Sequence, residues 1–187
     1  MNCLRMVGVM ALLIAPELGA QTVVRPAPPL DSARATLRDA IVVLRDSLVT
    51  VDGAAARLQR DYWTASGPAL VARARVMRDA CARSRRTVPP TRQVVQSAEL
   101  TDQNKLARRR ELVTALDTLR TVLGRCETEF AAMSQEDQGE RVRGYGNDRA
   151  IKVQRSIRSY EHSLQTFLQI MGIRILPAGS TRPPSAG

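Results

Sequence analysis

Aromatic side chains are scarce in this chain, with two Phe, three Tyr and one Trp among 187 residues. Proteins that grip single-stranded nucleic acid stack bases on aromatic rings, so this shortage argues against that task. Histidine is scarcer still, because His162 stands alone. A di-iron bundle needs Glu-x-x-His pairs on two helices, whereas Glu161 and His162 are adjacent and point in different directions. No Cys-x-x-Cys-His offers a haem attachment site, and no Gly-x-Ser-x-Gly elbow offers a hydrolase nucleophile. Gly144-Tyr145-Gly146 follows no strand and precedes no Gly-Lys-Ser/Thr, so it is not a phosphate loop. The expected catalytic, cofactor and metal residues are therefore none, and the chain reads as a non-enzyme.

Lysine is nearly missing as well. Lys105 and Lys152 are the only two among 28 cationic side chains, which outnumber 18 carboxylates to give a net charge of +10. An arginine-rich surface suits anionic partners, since guanidinium forks bind their oxygens bidentately. Codon bias in a GC-rich genome accounts for the same excess of Arg with Ala, Val and Gly. The charge is thus a weaker pointer to a partner than its size suggests.

Long apolar runs are confined to the amino terminus. One cation, Arg5, precedes Met6–Ala15; Pro16 and the small residues of Leu18-Gly19-Ala20 follow. This is the layout of a cleavable secretory signal peptide over residues 1–20, ending near Ala20/Gln21. The run falls short of the ~20 residues that span a bilayer, which disfavours the alternative of a retained anchor. Cys3 precedes the apolar run, so it is not a lipoprotein cysteine. Cleavage removes Arg5 and Glu17 together and leaves the charge at +10. The expected location is the periplasm or the outside of the cell, which also argues against nucleic acid as a partner. No later segment is apolar enough to act as a transmembrane span.

What the remainder does have is helical periodicity. After a Pro-rich lead-in over 21–30, Leu37, Ile41, Leu44, Leu48, Val51, Ala55, Leu58 and Tyr62 recur at alternating spacings of four and three. Asp31 or Ser32 is the expected cap of this first helix. Ser66-Gly67-Pro68 ends it and opens a second, with Leu70, Ala74, Met77 and Cys81 on its stripe. Proline is tolerated in a first helical turn but not deeper, so helix two is expected to stop near Arg86, before Val88-Pro89-Pro90. A linker then runs to about Leu100, and Thr101 caps helix three, with Leu112, Leu116, Leu119, Leu123, Cys126, Phe130 and Met133. Three glycines among polar residues mark Ser134–Asn147 as a loop. Asn147 or Asp148 should cap helix four, whose stripe is Val153, Ile157, Tyr160, Leu164, Phe167 or Leu168, and Met171. Residues 174–187 read as a disordered tail. The predicted fold is all-α, an antiparallel up-down-up-down four-helix bundle over 31–173 with long heptad-patterned helices. The same stripes suit a coiled-coil homodimer.

Two cysteines outlast the leader, Cys81 and Cys126, and an even pair in an oxidising compartment is first read as a disulfide. At 1.5 Å rise per residue, Cys81 comes out ~28 Å and Cys126 ~36 Å above the base of the bundle. Both lie on apolar stripes, so they face one core. Two free buried thiols are the alternative.

Topology brings a further constellation together. Helices one and three finish at the same end, which places Tyr62 and Trp63 beside Arg141, Arg143 and Tyr145 of the loop before helix four. Aromatic anchors with guanidinium donors make this end the candidate partner-binding surface. The alternative is that Trp63 caps the core and the loop is idle. A second cluster, Arg108, Arg109 and Arg110, falls in the first turns of helix three, where the helix dipole disfavours cations. The bland reading of that cluster is a solvated helix face.

Leu100-Thr101-Asp102-Gln103, opening a basic helix, resembles the Leu-Thr-x-x-Gln element of small periplasmic stress chaperones. Its glutamine is one position early, and the element occurs once where that family has two, so the chain is not assigned to it. The expected role is binding or structural, in the cell envelope, toward an anionic component or another protein. A periplasmic helical chaperone or stress sensor is the alternative.

Overall fold

The computed structural model describes residues 30–175, apart from 136. The expected signal peptide, nearly all of the expected Pro-rich lead-in and most of the expected tail lie outside the described residues. Four long helices pack against each other: α1 (Leu30–Asp61), α2 (Gly67–Ser97), α3 (Gln103–Ala132) and α5 (Asn147–Met171). A short helical turn, α4 (Gly139–Arg141), and a π turn (Val142–Gly146) lead directly into α5. No strand occurs among the described residues. Each long helix packs on its neighbours in the chain, and α5 returns to α1.

The core is built largely on the stripes read from the sequence. Leu37, Ile41, Leu44, Leu48, Val51, Ala55 and Leu58 of α1 are buried. They meet Leu70, Ala74, Met77 and Cys81 of α2, then Leu112, Leu116, Leu119, Leu123, Cys126 and Phe130 of α3. Val153, Ile157, Tyr160, Leu164 and Phe167 close the core from α5, and Leu168 and Met171 pack partly buried against it. The Sγ atoms of Cys81 and Cys126 lie at bonding distance, 2.02 Å, with their Cα atoms 6.1 Å apart. This disulfide ties α2 to α3 in the core.

Helix two does not stop at Arg86. It continues through Pro89 and Pro90 to Ser97, and only residues 98–102 separate it from α3. Two prolines inside a helix each cost ~3 kcal/mol locally, because each removes a backbone donor and crowds the preceding turn. Tertiary contacts outweigh this. Val88, Thr91 and Val95 are buried against the other helices while Pro90 faces solvent. Thr91 Oγ1 lies within hydrogen-bond distance of both Ala40 O (3.1 Å) and Thr87 O (2.9 Å). Ser84 donates to Ser47 O at 2.9 Å, which fastens the preceding turn to α1. Arg92 holds Asp117 of α3 by two bonds of 2.6 and 3.1 Å. Ending the helix at Arg86 would forfeit the contacts of Val88, Thr91, Arg92 and Val95.

Capping differs in detail from the expectation. Asp102, not Thr101, caps α3, its carboxylate accepting from Lys105 N at 3.0 Å. Helix α1 already includes Asp31 and Ser32 in its first turn. The expected loop 134–147 is helical from Gly139 onward, so Asn147 and Asp148 continue a helix instead of starting one. Burial again explains this: Val142 is fully buried, and Gly146 sits close to Leu58 and Phe130.

Candidate functional site

The turn between α1 and α2 is built first from its own backbone. Ala65 N and Thr64 N both donate to Asp61 O, at 2.8 and 3.1 Å, and Pro68 occupies the first turn of α2. This folding back leaves the carbonyls of Tyr62, Trp63 and Ala65 without helical partners. Arg143 supplies them. Its guanidinium donates to Tyr62 O at 2.7 Å, Trp63 O at 3.1 Å and Ala65 O at 2.9 Å. A guanidinium presents several donors in one plane, so a single side chain braces the whole turn. Arg73 adds an ion pair to Asp61 at 2.8 Å.

The turn so held displays its aromatics. Trp63 is 72% exposed, and its ring lies 4.5 Å from that of Tyr62 at a tilt of 39°. It stands out in solvent and is not part of the core, unlike the alternative reading in which it caps the core. Tyr145, 63% exposed, is carried by the π turn, whose extra residue per turn sets Val142 inward and Tyr145 outward. Arg141 is also exposed. Tyr62, Trp63 and Arg143 are thus brought into direct contact, while Tyr145 shares the π turn with Arg143 and Arg141 ends α4 just before it. Exposed aromatics on a rigid frame are well suited to anchoring a partner, since little side-chain freedom is lost on binding.

Arg143 does the bracing here, a role the sequence does not reveal. Arg143→Ala should lower stability by about 2 kcal/mol, the scale of lost charge-assisted bonds that leave carbonyls unpaired. Thermal melting would measure it, and an unchanged midpoint would show that the turn holds itself.

The arginine cluster of α3 divides. Arg109 donates to Gln96 O at 3.1 Å and Ala98 O at 2.7 Å, closing the end of α2. Arg108 pairs with Glu111 at 2.8 Å along its own helix, and only Arg110 lines a cleft, between α3 and α5. Arg83, Arg85 and Arg86 sit mid-helix, not at the expected end of helix two, and Arg85 faces Glu127 of α3 at 2.8 Å. His162 is exposed. Among the described residues there is no group of three or more His, Cys, Asp or Glu placed to hold a metal, and no helix long and apolar enough to cross a membrane.

Across α1 and α5, Gln154 accepts from Gln59 at 2.7 Å and donates to Asp52 at 2.8 Å, joining the two helices on the side toward Trp63. No protein-family model, curated protein or solved structure matches the chain.

Proposed function

We infer that this is an exported, non-enzymatic binding protein of the cell envelope, and that the Trp63–Tyr145 end of its bundle engages an anionic partner. The single observation that carries the reading is Trp63, 72% exposed on a turn that Arg143 braces at three carbonyls. A large ring left in water and held rigid gains most from a partner that buries it. The net charge of +10 favours an anionic one, and export follows from the leader-like residues 1–20.

The bundle is read as up-down-up-down with heptad-patterned helices. Support comes from partner pairs along α1 and α2: Asp61 with Arg73, Ser47 with Ser84, and Ala40 with Thr91, one number falling as the other rises. In this arrangement the α1–α2 turn and the π turn share one end.

Trp63→Ala, alone and with Tyr145→Ala, tests the function. Exposed side chains away from packing change stability by only about 0.5 kcal/mol, so the variants should melt with the wild type. Immobilised wild-type protein should retain a saturable partner from envelope extract, less at high salt, and the double variant should lose it. Equal retention by the variant would overturn this reading. Suppression of aggregation of unrelated unfolded proteins, unaffected by either substitution, would support a chaperone instead.

A further inference from the structure

Charge is spread unevenly over the bundle. Helix α2 carries seven arginines and a single carboxylate, Asp79, a net +6. Helix α1 balances its five arginines with as many carboxylates, and α3 and α5 each carry +2. Four of the α2 arginines are neutralised: Arg73, Arg85 and Arg92 lie against Asp61, Glu127 and Asp117 of the neighbouring helices, and Arg78 against Asp79. Arg75 donates to the Ser134 carbonyl at 3.1 Å, which leaves its charge uncompensated. Arg83 and Arg86 are exposed and bond to no described residue.

At about 100° per residue, Arg75, Arg83 and Arg86 fall on the side of α2 opposite its buried stripe, within an arc of about 100°. The same arc holds Ala72, Val76 and Pro90, all exposed, Val76 at 41%. From Ala72 to Pro90 this strip is ~27 Å long. It is the ridge of a helix and therefore convex, so it does not enclose a small molecule. Helix α5 also shows unpaired cations, Lys152, Arg155 and Arg158, but its exposed neighbours there, Ser159 and His162, are polar. On α2 the apolar side chains stand between the guanidiniums. Such side chains gain nothing from a hydrated polymer, whereas the headgroup boundary of a bilayer buries them.

We propose that the outer face of α2 docks on an anionic lipid bilayer, with Arg83 and Arg86 among the phosphates and Val76 and Pro90 at the headgroup boundary. The guanidinium fork matches phosphate oxygens, and both arginines are free to turn toward them. The association is peripheral, since no described helix is long and apolar enough to cross a membrane. The face does not include Trp63, so this reading and that of the Trp63 end can each fail alone.

Sedimentation of the full chain with vesicles of phosphatidylglycerol and phosphatidylcholine tests this, with pure phosphatidylcholine as the charge control. The wild type should partition about tenfold more strongly onto the anionic vesicles at about 0.02 M salt and lose that preference at about 0.5 M. Arg83→Gln with Arg86→Gln should weaken partitioning onto the anionic vesicles about twentyfold, near fivefold for each arginine at a charged surface. Arg155→Gln with Arg158→Gln removes the same charge from α5 and should weaken it no more than about threefold. Residues 1–20 are common to every form, so these ratios read the folded part. All four side chains are exposed and unpaired, so both double variants should melt with the wild type. Val76→Ser should weaken vesicle partitioning about threefold and leave retention on immobilised heparin unchanged. The proposal is overturned if the anionic vesicles are not preferred, or if the α5 pair costs as much as the α2 pair. It is also overturned if Val76→Ser leaves vesicle partitioning unchanged, which would assign the face to a soluble polyanion.

Discussion

Replacing Cys81 and Cys126 together by Ala should cost about 4 kcal/mol of stability, the largest loss expected of any change to this chain. The bridge closes a segment with a sequence separation of 45, and the chain-entropy account gives that magnitude from loop length alone. Both side chains are buried, at 0% and 2% exposure, so trimming each sulfur also leaves a small void. Domains of this size are stable by only about 5–15 kcal/mol, so the loss takes a large share of the total. Urea unfolding of the oxidised protein, the reduced protein and the double variant measures it. The reduced and Ala forms should agree closely and unfold at much lower urea than the oxidised form. If reduction leaves the midpoint in place, the two thiols are not joined in solution.

Gly139→Ala should destabilise by about 2–3 kcal/mol, while Gly67→Ala should change stability by no more than about 1 kcal/mol. The two glycines face each other where α4 crosses the start of α2, but the contact is not symmetric. A Cβ on Gly139 would stand 2.5 Å from the Gly67 Cα and 3.0 Å from its carbonyl carbon and oxygen. All three are backbone atoms, which cannot rotate aside. A Cβ on Gly67 would meet only the Gly139 Cα, at an ordinary 3.8 Å. In Gly139→Ala the start of α4 must therefore move off α2, weakening the seat of Val142 and the reach of Arg143 to the turn. Thermal melts give the stability, and amide exchange at Trp63 and Ala65 reports the turn. Equal effects of the two substitutions would contradict the close approach.

The helical stripes were legible because period is a local property. Leu37 to Leu58, Leu112 to Phe130 and Val153 to Phe167 each repeat at three and four, and a face that regular has one way to be buried. The pairing of Cys81 with Cys126 followed from the same rise-per-residue arithmetic. Local signals failed where they compete with packing. Pro89-Pro90 reads as a stop, yet Val88, Thr91 and Val95 are worth more buried than the two lost donors cost. Gly139, Gly144 and Gly146 read as a loop, yet Gly139 and Gly146 are small because backbone and core side chains approach them closely. Thr101 and Asp102 are both good caps, and the choice turned on where the chain leaves α2.

The candidate end shows the same division. Residue type and helix count were enough to gather Tyr62, Trp63 and Arg143 at one end. That Arg143 is spent on three carbonyls, leaving Trp63 outward, depended on a π turn that no local pattern announces. The sequence by itself determined the all-helical class, the main apolar stripes of the core and the candidate cysteine pair, because hydrophobic periodicity and chain length act through nearest neighbours along the chain. Only the tertiary structure decided where α2 ends, and which arginines brace and which stay in solvent. Those outcomes are differences between contacts made by residues tens of positions apart, and no window along the chain contains both partners.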